Sequence, residues 1–151
     1  MSHLGCGCPG SMARVIEREE TTTNDTARTP SALRQWPVQL HLVPPSAPYF
    51  RNADILISAD CVAFALGSFH QDLLKGKALA IACPKLDETG TYVDKLATIF
   101  RDNDVKSVTV AIMEVPCCRG LDIMVKQALA KAGDPVPLET IIIGIDGERR
   151  N

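Results

Sequence analysis

Three apolar runs that each end on cysteine limit what this chain can fold into. They are Asp54–Ala59 before Asp60-Cys61, Ala78–Ala82 before Cys83-Pro84, and Ser107–Met113 before Pro116-Cys117-Cys118. Each is followed by a helix-like stretch of ten residues or more, and a repeat of strand, corner and helix builds a parallel sheet. The strands of such a sheet all point one way. The residues just past their carboxyl ends therefore share one edge, the edge at which open α/β sheets bind ligands. Cysteines distant in sequence can meet there.

The remaining elements fit the same plan. Val38-Gln-Leu-His-Leu-Val43 alternates apolar and polar residues like a strand near an edge, and Leu138–Ile143 supplies a last strand. Val62, Ala65, Leu66, Phe69 and Leu73 recur at helical spacing before a stop at Gly76, with Gly67 a place to bend. A second helix runs from Tyr92 to about Asn103. A third carries Leu121, Met124, Val125, Ala128, Leu129 and Ala132 on one face and closes at Gly133. The expected fold is a three-layer, Rossmann-like or flavodoxin-like α/β domain. It has an open, mainly parallel sheet of about five strands and helices on both faces.

At 151 residues the chain is long enough to bury roughly two thirds of the surface it exposes when unfolded, so no disulfides are needed to hold it. We divide it into a cysteine-containing arm over residues 1–29 and the α/β domain over 30–151. Within the arm, Ser11 is placed to cap a short helix through Glu17, and Ser31–Gln35 can form one helical turn before Trp36-Pro37. A formal net charge of -2 with scattered basic residues leaves no electrostatic footprint for nucleic acid. No apolar run approaches the roughly 20 residues of a membrane span, and Met1–Gly10 has neither a basic start nor a long hydrophobic core. The expectation is a cytoplasmic protein with no membrane partner.

In a reducing compartment six cysteines point to metal binding or redox chemistry more than to structural bridges. Cys61, Cys83, Cys117 and Cys118 sit at expected helix starts, where the backbone dipole and free amides favour the thiolate, with Lys85 and Arg119 beside them. Four thiolates packed together repel unless a soft cation or an iron–sulfur cluster lies between them. Cys6 and Cys8, in the glycine-rich Cys6-Gly-Cys-Pro-Gly-Ser11 turn, could complete the shell. No Cys-x2-Cys knuckle, Walker loop, Gly-x-Gly-x-x-Gly or Gly-x-Ser-x-Gly elbow is present. Asp60 reads as a helix N-cap, and His41 and His70 read as surface or packing residues. Three functional classes stay open: a redox protein holding an iron–sulfur cluster, a domain closed around structural zinc, and a metal-free thiol or persulfide relay through Cys117-Cys118.

Five separated words, Cys6-Gly-Cys-Pro-Gly-Ser11, Leu33-Arg-Gln-Trp-Pro-Val-Gln-Leu40, Ala59-Asp-Cys61, Cys83-Pro-Lys-Leu-Asp87 and Glu114-Val-Pro-Cys-Cys118, extend the reading. Together they resemble the carboxyl-terminal domain of a family of ferredoxin-like [4Fe-4S] cluster-binding proteins of anaerobic bacteria and archaea. The resemblance covers nearly all of residues 5–145. It implies an iron–sulfur cluster ligated by cysteines among Cys6, Cys8, Cys61, Cys83, Cys117 and Cys118, with zinc as the alternative metal. Many relatives carry an additional amino-terminal domain with two clusters, so this stand-alone form is expected to work with a separate ferredoxin.

Overall fold

Residues 54–59 read Asp-Ile-Leu-Ile-Ser-Ala, and every one after Asp54 is buried, as expected for a strand covered on both faces. In the computed structural model, which describes residues 12–18 and 28–151, this segment (β3) is a central strand of a four-stranded sheet. Cys6, Cys8, Ser11 and most of the polar run from Glu19 lie outside the described residues. β3 pairs on one side with Ala78–Ala82 (β4) and on the other with Ser107–Met113 (β5), which pairs in turn with Leu138–Ile143 (β6). All three pairings are parallel. The Rossmann-like α/β architecture read from the sequence is what the chain adopts.

The crossover from β3 to β4 runs one way across the sheet, and those from β4 to β5 and β5 to β6 run the other way. Because parallel crossovers are right-handed, Val62–Ala65 (α1) covers one face, while Tyr92–Asp102 (α2) and Arg119–Ala132 (α3) pack together on the other. Gly133 ends α3 with a left-handed φ of 82°, its amide bonded to Leu129 O. The helix expected after Cys61 is broken. α1 stops at Leu66, whose backbone is extended, and the chain resumes as a π-helical turn over His70–Leu74 after passing Gly67.

Two edge segments depart from the sequence reading. The strand expected over 38–43 is reduced to one parallel bridge between Gln39 and Ile81. Beyond it the amides of Leu42 and Val43 both turn back to Gln39 O. Leu40 and Val43 are fully buried while Leu42 is 46% exposed, so burial recurs every three residues, as in a helical turn leading into Pro44-Pro45. The amino-terminal arm likewise forms no helix over its described residues. Arg14–Val15 (β1) instead pairs antiparallel with Gln35–Trp36 (β2), extended by an Ile16 N to Arg34 O bond of 2.8 Å. Ser31–Gln35 is not a helical turn, and the Trp36-Pro37 bond is cis.

The charged end of the chain, read as a tail, folds back on β6. Arg150 N donates to Ile142 O, Gly144 N to Glu148 O, and Arg149 bridges to Ile143. Its turn depends on Gly147, with φ +86°, where an added Cβ would stand 2.6 Å from the Ala65 carbonyl oxygen on α1. Gly147→Ala therefore combines a disfavoured backbone region with a backbone clash. It is expected to lower stability by about 1–3 kcal/mol, read as a reduced urea midpoint at unchanged m-value.

Candidate functional site: a thiol-lined cavity at the switch point

The register brings the strand ends level. Ala59 pairs with Ala82, Ser58 with Ala111 and Met113 with Ile143, so Asp60, Cys83 and Met113 lie at about the same height. Adjacent strands β3 and β5 send their following connections in opposite directions across the sheet. Such a switch point opens a crevice between the two outgoing loops. Here those loops are Asp60-Cys61 and Pro116-Cys117-Cys118. A cavity of about 200 Å³ occupies this place, lined by Asp60, Cys61, Cys83, Cys117 and Cys118 with apolar walls that include Met113 and Ile145.

Each corner holds its cysteine differently. Asp60 N donates to Ala82 O at 3.1 Å, tying the end of β3 to β4, and Cys61 O accepts from Phe64 N and Ala65 N at the start of α1. Cys61 is exposed. At the second corner the Cys83 amide donates to Asp87 Oδ2 at 3.0 Å, and Asp87 N returns a bond to Cys83 O at 2.9 Å. The Tyr92 hydroxyl donates to the same carboxylate oxygen at 2.7 Å. Cys83 thus heads a closed loop rather than a helix, since α2 begins only at Tyr92. At the third corner, Pro116–Cys118 is a single 3-10 turn with Cys118 at the N-cap of α3. An added Cβ on Gly120 would come within 3.3 Å of Pro84, so this corner packs close to the second.

The local electrostatics partly reverse the sequence reading. Burial raises the Cys118 thiol above its ordinary pKa, and the neighbouring Cys117 and Cys61 charges push the same way against an opposing hydrogen bond from the Met113 backbone. The helix start does not prevail there, because Cys118 is buried. Cys117 and Cys118 both line the cavity, Cys117 exposed and Cys118 buried. Asp60 is raised by burial and then by the nearby Asp87 carboxylate, and Tyr92 by burial and its bond to Asp87.

Asp60 does not cap α1. Cys61 holds the N-cap position without a side-chain cap bond, and Asp60 Oδ1 is buried with no hydrogen-bond partner among the described residues. His70 accepts the Ala32 amide at its Nδ1, 3.0 Å away, a structural use remote from the cavity lining, and His41 borders a separate groove with Asp87 and Tyr92. The structure brings Cys61, Cys83, Cys117 and Cys118 around one cavity. As placed, no three His, Cys, Asp or Glu side chains among the described residues stand close enough to hold a metal ion. Sequence reasoning missed Asp87 as the clamp of the Cys83 loop, although an aspartate five residues past a strand end, followed by Tyr five later, carried a signal of it. It also missed Ile145, two residues past the end of β6, in the cavity lining.

A parallel sheet with opposed crossovers and a pocket at its switch point defines the open, doubly wound α/β class. The family model described as "Rossmann-like domain" matches residues 47–150, and the chain belongs to that family. It is also 34% identical over 115 residues to an uncharacterized protein of Archaeoglobus fulgidus, an alignment covering 76% of this chain and 81% of that one. No solved structure matches it significantly.

Proposed function

We propose that this cavity holds an iron–sulfur cluster, most simply [4Fe-4S], in a small redox protein that transfers electrons or activates a small molecule. The observation that carries the reading is the arrival of four thiols from three separate loops at one small cavity. The donor set fits in kind: soft thiolates suit iron–sulfur clusters and zinc alike, and the orphaned Asp60 oxygen is the sort of buried group a cation satisfies. The thiols have still to draw together around their guest. The resemblance of the five sequence words supports the cluster over zinc.

When bound, such a cluster supplies one-electron chemistry, and its potential follows its charge surroundings and exposure. The chain's own contributions are of three kinds. Cys61, Cys83, Cys117 and Cys118 supply thiolates, and the Asp87 clamp fixes the loop from which Cys83 projects. Met113, Val115 and Ile145 line the cavity with apolar surface, and of the four thiols Cys118 is the buried one. A four-iron cluster has four terminal positions, so in this reading its ligands are drawn from among these thiols together with Cys6 and Cys8, with thiols to spare. β2 leads into the segment that runs parallel to β4 and β1 runs antiparallel to β2, so the chain traced back through Met12 heads toward the thiol edge. The six residues from Arg14 back to Cys8 can span roughly 20 Å. A separate ferredoxin is the electron partner this reading calls for.

The test is an anaerobic preparation of the full chain. Iron and acid-labile sulfide in near-equal amounts, with broad visible absorption that bleaches on reduction, is the expected result. Zinc without sulfide would replace the cluster by a closed thiolate site. Metal-free protein that cycles a disulfide or persulfide would assign the chemistry to the adjacent Cys117-Cys118 pair instead.

A further inference from the structure

Asp60 occupies the switch point itself, between the end of β3 and Cys61, and lines the cavity together with the four thiols. Its Oδ1 is buried and accepts no hydrogen bond among the described residues. The bland use of an aspartate at this position, capping the following helix, is not realised: α1 begins at Cys61 without a side-chain cap bond. The nearby ionisable groups are Asp87, Tyr92, Cys61 and Cys83; the Tyr92 hydroxyl is committed to Asp87, and so is the Cys83 amide. A buried carboxylate oxygen without a partner carries a free-energy penalty that a cation at the same spot would offset.

We propose that Asp60 is an oxygen ligand of the centre held in this cavity, so that one iron is bound by a carboxylate while three of the available thiolates bind the others and the surplus thiols stay unligated. The inference rests on the cluster reading above and deepens it. Carboxylate is a hard donor and thiolate a soft one, so the Asp60-bound iron is the most weakly held of the set. Asp60 would therefore be the ligand to give way first to an incoming small molecule.

The experiment compares anaerobically reconstituted wild type with Asp60→Asn and Asp60→Cys, following iron release to an excess of a ferrous chelator alongside sulfide content. Wild type is expected to release one iron per cluster in a fast phase, roughly tenfold or more ahead of the rest, in line with what ligand-sphere changes do to metal retention. Asp60→Cys, which completes a thiolate shell, should lose the fast phase and keep its iron. Asp60→Asn, nearly isosteric, should retain the far-ultraviolet circular dichroism of the wild type but hold less iron after desalting. A wild type carrying full iron and sulfide that releases its iron in one phase, matched by Asp60→Asn, overturns the assignment while leaving the cluster intact. A wild type with neither iron nor sulfide overturns the cluster itself and this ligand with it.

Discussion

Cys83→Ser and Cys61→Ser are each expected to strip most of the iron from anaerobically prepared protein without unfolding it. A serine hydroxyl stays protonated at neutral pH and is a hard donor, so it replaces neither the charge nor the softness of a thiolate. The fold tolerates the change because Cys61 is exposed and Cys83 half-buried, and substitutions at such positions usually fall within about 0.5 kcal/mol. The Cys83 loop keeps its shape in the variant, since the clamp is made by the Cys83 backbone and the Asp87 side chain, not by sulfur. His70→Ala is the control. It removes the acceptor for Ala32 N, away from the cavity, and should leave iron content unchanged. Equal iron in all three variants, with circular dichroism unaltered, would remove the thiols from any ligand role.

The parts of the fold that follow from periodicity were legible before any coordinates. β3, β4, β5 and β6 begin and end at the apolar runs, and α3 ends at its glycine, because burial on both faces of a parallel sheet leaves its mark on every residue of a strand. The convergence of Cys61, Cys83, Cys117 and Cys118 was legible for a related reason: strand direction alone decides which edge a corner occupies. What could not be read depends on tertiary partners. The Val38–Val43 alternation imitates a strand, yet its burial repeats every three residues because the chain turns on Gln39 O. The polar tail gave no hint that it folds back on β6, with its turn at Gly147 set against α1. The state of Asp60 and of the Cys118 thiol is set by burial, which a local motif such as a helix start does not report.

The largest stability loss is expected at a residue with no part in the chemistry. Gln35 is 1% exposed, and its side chain does the work of a missing strand. Its Nε2 donates to Leu79 O at 2.7 Å and to Pro37 O at 3.1 Å, while its Oε1 accepts from Leu79 N at 2.6 Å. Leu79 lies on β4, the outer strand of the four-stranded sheet, and is itself buried. The primary amide thus copies the donor and acceptor of a peptide group at the one point where the edge segment has not yet joined β4 through Gln39. Gln35→Leu fills similar volume but leaves the Leu79 amide, the Leu79 carbonyl and the Pro37 carbonyl without this partner. Each buried orphan costs about 1–3 kcal/mol, so the variant should lose roughly 3–5 kcal/mol in all. Glu in place of Gln should also be damaging, because an ionised carboxylate accepts from Leu79 N but cannot donate to either carbonyl. Urea unfolding of the apoprotein reads both, and a Gln35→Leu midpoint within error of wild type would mean that water or a shifted backbone meets those groups instead.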